Sequence, residues 1–166
     1  MGADLFEYDG VGVAMRDGIL LVIYGADARL HRTAWIFDRA EEVIERAGYI
    51  YCLLVIDTTK ALPDAATRAE NAVRFGKLRD KVRLFTTVPL GDPLRSILVK
   101  AILRAIALIL RDPGRHHLAN TESDGLDALQ QAIGANAPSK EELEDDLLGI
   151  RELLRGSSTV RSLRAV

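Results

Sequence analysis

Two unbroken apolar runs, Val11–Met15 and Ile19–Tyr24, are separated only by Arg16, Asp17 and Gly18. An Asp-Gly pair accepts left-handed backbone at little cost, so the segment predicts an antiparallel hairpin. The second run contains no polar position, the pattern of a strand covered on both faces. Beyond Asp27, a residue able to cap a helix, apolar residues recur every three or four positions: Leu30, Ala34, Phe37, Ala40, Ile44 and Ala47, up to Gly48. That spacing predicts an amphipathic helix with Glu41, Glu42, Glu45 and Arg46 turned to water.

Tyr51–Asp57 is a further apolar run closed by an acid, the signature of a central strand. Pro63 and Asp64 open a second helix through Ala69 and Val73 to Gly76, and Val82–Val88 reads as the next strand. A long helix follows from Pro93 to about Arg111, then a short edge strand near His116–Ala119. Thr121–Asp124 supply caps for a helix ending at Gly134. Residues 135–138 look like a linker, and Ser139 followed by Glu142 is a capping-box pattern for a last helix. Its apolar stripe is Leu143, Leu147, Ile150, Leu153 and Leu154, opposite Glu141, Glu144 and Asp145.

Strands alternating with helices after an opening hairpin predict an α/β fold: a mixed sheet of four or five strands with about four packing helices and right-handed crossovers. The expected organisation is one α/β domain over residues 1–134, a C-terminal helix over 139–155 and a disordered tail over 156–166.

Composition narrows the function classes. The chain has 166 residues, 48% hydrophobic and 28% charged, a globular balance. Its net charge of −2, from 22 basic and 24 acidic side chains, removes any bulk electrostatic drive toward nucleic acid. The single cysteine, Cys52, supplies neither an intrachain disulfide nor a thiolate metal cluster. The apolar run from Gly18 to Gly25 is short, follows acidic residues and lacks a basic leader, so a cytoplasmic protein is expected.

The order of elements from about Val11 to Ile133, with Leu53–Asp57 leading into a loop and helix and a short strand plus helix at the end, resembles the SpoIIAA-like and STAS group, the anti-sigma-factor antagonist fold. The resemblance implies a signalling role through binding to another protein. Antagonists of that group carry a phosphorylatable serine in an Asp-Ser-Ser-Gly motif at the start of the helix after the central strand. The matching stretch here is Thr58–Thr67, in which Asp64 matches the acid while Ala65 and Ala66 stand where the serines would be. A kinase-controlled switch therefore lacks its usual acceptor. Thr67, Thr58 and Thr59 are the substitutes on offer, and the chain is closer to the SpoIIAA-like branch, which generally lacks the motif.

The helix from Pro93 carries the strongest departure from an ordinary surface helix. Lys100, Arg104 and Arg111 share one narrow face. Leu94, Ile97, Leu98, Val99, Ile102, Leu103, Ile106 and Leu110 wrap apolar surface well beyond what contact with one sheet needs. Something must cover the excess: the last helix of the same chain, a second copy, or a membrane surface. A transmembrane span is disfavoured, since Lys100 and Arg104 mid-segment would each cost about 2.5–3.5 kcal/mol on insertion scales.

Asp57, Thr58, Thr59, Asp64 and Thr67 form the candidate ligand or phosphoacceptor loop, at the carboxyl edge of the sheet where open α/β sheets bind ligands. Caps and turns account for the same residues. Asp57 and Asp64 would serve acid–base chemistry only if they converged, and no third ligand at a diagnostic spacing supports a metal. His116 and His117 lack partners at metal-ligand spacing, and no cofactor motif is present. The leading expectation is a non-catalytic regulatory or scaffolding module acting through protein–protein contact as a homodimer. The alternatives are small-molecule, lipid or membrane-surface binding through helix 93–111, with Lys100 or Arg104 at an anionic head group, and an enzyme using Asp57 and Asp64.

Overall fold

A computed structural model describes residues 2–109 and 113–164, with no side-chain description at 102, 105–109, 113 and 158–164. The described residues form a six-stranded mixed sheet in sequential order β1 to β6, with five α-helices. The strands are β1 (Asp4–Tyr8), β2 (Val11–Arg16), β3 (Ile19–Tyr24), β4 (Ile50–Asp57), β5 (Val82–Leu90) and β6 (His116–Leu118). The helices are α1 (Leu30–Ala47), α2 (Ala65–Leu78), α3 (Pro93–Ile109), α4 (Glu122–Ile133) and α5 (Lys140–Arg164). The first two strand pairs are antiparallel and the remaining three are parallel.

The expected hairpin is β2–β3, with Arg16 paired to Ile19 and Gly18 in the left-handed region. Four or five strands were expected; the sixth is β1, an edge strand. Its turn into β2 is a second Asp-Gly pair, Asp9 and Gly10, both at positive φ, as a tight type I′ hairpin requires.

The apolar runs of β3 and β4 are explained by helices on both faces. Val13, Leu20, Val22, Ile50 and Cys52 meet α1 and α2 through Ala40, Val43 and Phe75. Leu21, Ile23, Leu53, Val55 and Val88 meet α4 and α5 through Leu126, Leu129, Leu143, Leu147 and Ile150. Alternation along β3 sends Leu20 and Leu21 into opposite layers, the period-two geometry of a strand.

Three expectations about helices need correction. α1 does not take Asp27 as its cap: Arg29 occupies that position without a side-chain bond, and Asp27 accepts the backbone N–H of Ala61 at 2.8 Å, tying two loops together. α5 does not stop near Arg155 but continues to Arg164, because Gly156 remains helical and Ser157 donates a hydrogen bond to Glu7 on β1. Nor is α5 an appendage or a cover for α3. Leu143, Leu147 and Ile150 of its stripe are fully buried against β1, β2 and β3 in the same core as α4, with Leu154 partly buried beside them, whereas Leu153 is exposed.

Among the acids of α5, Glu141, Glu144 and Asp145 face water as expected, and Asp146 does not. Asp146 is buried and receives Arg16 of β2 through two bonds of 3.0 Å, with Glu142 beside them at 3.4 Å. Glycines make the docking close. A Cβ on Gly12 would sit 2.3 Å from Ile150, and one on Gly149 would sit 2.8 Å from Leu5.

Candidate functional site

The carboxyl edge of the parallel strands β3 to β6 gathers the loops that lead into α1, α2, α3 and α4, and the candidate residues lie between the end of β4 and the first turn of α2. Asp57 ends β4, and its Oδ1 accepts from the Thr59 backbone N–H at 2.9 Å and from the Thr59 hydroxyl at 2.6 Å. Thr58 points the other way. It is buried, its hydroxyl donates to the Leu90 carbonyl at 2.8 Å, and its N–H donates to the same oxygen. That pair fastens the β4–α2 loop to the end of β5. Gly91 follows at φ 109, a region open to glycine at low cost, and a Cβ there would meet both Thr58 and Thr59 at 3.1 Å.

Asp64 is the N-cap of α2, as its position before the apolar spacing predicts, and accepts the Thr67 N–H at 2.7 Å. The bond to that backbone N–H, with help from the Thr67 hydroxyl, holds the Asp64 carboxyl below the usual range. Thr67 itself is buried. Asp92 plays the same part for α3, accepting from the N–H groups of Leu94 and Arg95.

The edge is thus built from acids already engaged in closing turns and helix starts. Asp57 and Asp64 serve separate ends of one loop, each satisfied by a backbone N–H and a threonine. Of the three candidate phosphoacceptors, Thr58 and Thr67 are buried and Thr59 is exposed with its hydroxyl on Asp57. Among the described residues, no group of three His, Cys, Asp or Glu side chains is placed to hold a metal ion. Burial pushes the Cys52 thiol up to about 12, which removes it as a nucleophile. His116 stacks on Phe85, and burial, followed by the charge of His117, lowers its pKa. Of the basic residues near the end of α2, Arg74 pairs with Glu70 and Asp38, and Arg79 with Asp80.

One polar cluster had no clear signal in the sequence. Asp9 accepts from His31 at 3.0 Å and from Arg32, while Tyr8 lies edge-on to His31 and stacks on Trp35. Asp9 is the residue at positive φ in the first turn, so the pairing braces a hairpin corner against the start of α1.

α3 leaves a cluster of large apolar side chains uncovered among its described residues. Its inward side is supplied by Val99 and Leu103, at 4% and 8% relative exposure. Leu94, Ile97 and Leu98 face outward at 78%, 64% and 51%. These three lie at i, i+3 and i+4, one continuous apolar patch. Lys100 reaches Asn120 at 2.9 Å and Arg104 is exposed. Of the remaining expected contact residues, Leu110 and the side chains of Ile102 and Ile106 lie outside the described residues.

Among the described residues, no helix is long and apolar enough to cross a membrane. Comparison with protein-family models, with curated proteins and with solved structures finds no match to this chain.

Proposed function

We propose that this chain is a non-catalytic regulatory or scaffolding module that acts by association, with the outward side of α3 as its contact surface. The observation that carries this reading is the solvent-facing patch of Leu94, Ile97 and Leu98 on a helix whose opposite side already satisfies the core through Val99 and Leu103. α5, the intrachain candidate for covering α3, is occupied on β1–β3. Large aliphatic side chains gathered in one patch mark an interaction site more often than isolated ones do. The non-catalytic part of the reading is supported by the commitment of Asp57, Asp64 and Asp92 to turns and caps.

Two kinds of occupant would bury the patch, a protein surface (a second copy included) and a membrane interface. A protein partner would accord with the signalling role that the antagonist-like resemblance implies. It would be a version without the kinase-controlled switch, given that Thr58 and Thr67 are buried and that the Thr59 hydroxyl is engaged by the Asp57 carboxylate.

Fluorescence of an apolar-surface dye, read beside light scattering over a concentration series, tests the association reading. Wild type is expected to bind dye or to gain mass with concentration, and Ile97→Asp to lose that behaviour while keeping its circular dichroism. A wild-type chain that stays monomeric and leaves the dye dark overturns it.

A further inference from the structure

The charge around the α3 patch selects among its occupants. From Pro93 to Ile109 the helix carries Arg95, Lys100 and Arg104 and not one acid. Asp92, just before it, has its carboxylate engaged by the first backbone N–H groups of the helix. Arg95 donates to the carbonyls of Thr59 and Lys60, which brings a further lysine to the same edge. The acids of the C-terminal region lie elsewhere: α5 packs on the α4 side of the sheet. The right-handed crossover from β5 to parallel β6 assigns α3 to the α1–α2 side. A chain of net charge −2 therefore presents a locally cationic helix.

A second copy of the chain fits this face poorly. Laying α3 on its twin sets cations against cations with no carboxylate in the helix to balance them. Among the described residues, the 17 of α3 rise only about 25 Å against a hydrocarbon core of about 30 Å, and Lys100 and Arg104 mid-segment disfavour a span as well.

We infer that α3 docks on an anionic lipid bilayer, lying in the plane of the interface with Leu94, Ile97 and Leu98 in the acyl boundary and Arg95 and Arg104 among the headgroup phosphates. This inference rests on the association reading above and names its partner. Aliphatic residues on one side of a helix, arginine and lysine on its flanks and no acid between them are what an interfacial helix needs. The cations draw the chain to a negative surface, and the apolar patch holds it there.

Flotation of the full chain with vesicles of phosphatidylcholine alone, or of phosphatidylcholine and phosphatidylglycerol in equal parts, tests the inference. The chain is expected to float with the anionic vesicles, weakly with the neutral ones, and less at high salt. Ile97→Asp is expected to lower partitioning by about tenfold or more, the loss corresponding to one buried aliphatic side chain. Arg104→Glu is expected to lower it on anionic vesicles only. Absence from the anionic float fraction, or equal flotation with both vesicle types, overturns the inference. Should the chain fail to float yet gain mass with concentration in a manner Ile97→Asp abolishes, the lipid partner falls and the association reading stands. A chain that neither floats, associates nor binds dye removes both.

Discussion

Replacing Asp146 by alanine tests the account of how α5 is held. The Asp146 and Arg16 side chains are 10% and 13% exposed, so water screens their pairing far less than it screens a surface ion pair. The substitution removes both 3.0 Å bonds and leaves the guanidinium beside Glu142, a more distant and half-exposed carboxylate. Breaking a buried pair from one side costs about 3–5 kcal/mol. With Glu142 retaining part of the interaction, about 2–4 kcal/mol is expected for Asp146→Ala. For a chain of this length that corresponds to a fall in Tm of about 5–15 °C. Urea denaturation followed by circular dichroism reads the loss. The double variant Arg16→Met/Asp146→Leu supplies the control, because replacing both charges by apolar groups of similar volume leaves stability within about 1 kcal/mol of wild type or above it. A single-variant loss under about 1 kcal/mol, or a double variant as unstable as the single, would refute the claim that desolvated charge governs this contact.

Three further outcomes follow from the packing and titration described above. Gly76→Ala and Gly125→Ala make the same change in helix propensity, worth about 1 kcal/mol in favour of alanine. A Cβ on Gly76 meets open space, whereas one on Gly125 would lie 2.7 Å from Leu53 and 2.9 Å from Val88, both wholly buried. Gly76→Ala should therefore raise stability, and Gly125→Ala should fall below it by about 1–3 kcal/mol in thermal or urea melts; equal effects would contradict the close approach of α4 to the sheet. Thr86 is buried with a hydroxyl that has no partner among the described residues, so Thr86→Val should raise stability by about 1 kcal/mol in the same assay, and a loss would show that the hydroxyl is satisfied. Because His116 has a pKa below its usual 6.5 when folded, the unfolded chain binds the more protons between those two values. Stability contributed by His116 is therefore present above about pH 6.5 and lost as pH falls through that window, and His116→Phe should flatten the slope in melts taken from pH 7.5 to pH 5.

Much of the architecture was legible because buried strands repeat apolar residues without interruption. The runs at 19–24 and 51–57 are β3 and β4, and Asp64 caps α2 as its place before the helical spacing implies. β1 escaped notice because Asp4 and Glu7 on an edge strand dilute its apolar signal, although the Asp9–Gly10 pair repeated the turn chemistry of Asp17–Gly18. The destination of α5 was hidden for a different reason. An apolar stripe says that a helix buries a face but not against which partner, and the pointer was small rather than greasy: Gly12 inside a strand and Gly149 inside a helix, where backbones approach closely. At the candidate loop, sequence located every residue at the carboxyl edge and left open whether its threonines were accessible. The hydroxyl of Thr58 is spent on a carbonyl 32 residues away, a long-range partner that local pattern does not encode. The excess apolar surface of α3 was visible as surplus, while the division into inward Val99 and Leu103 and outward Leu94, Ile97 and Leu98 needed the packed sheet to define a direction.

The clasp between α5 and the opening hairpin also bears on how the chain acquires its shape. Arg16 and Asp146 are 130 residues apart, and Glu7 and Ser157 are 150 apart. During synthesis β1–β3 would emerge with one face bare until α5 follows, so that layer is completed after the rest of the sheet, and contacts of such sequence separation slow folding. A growing chain of this kind would present its half-made sheet to chaperones until α5 is made and docks on it.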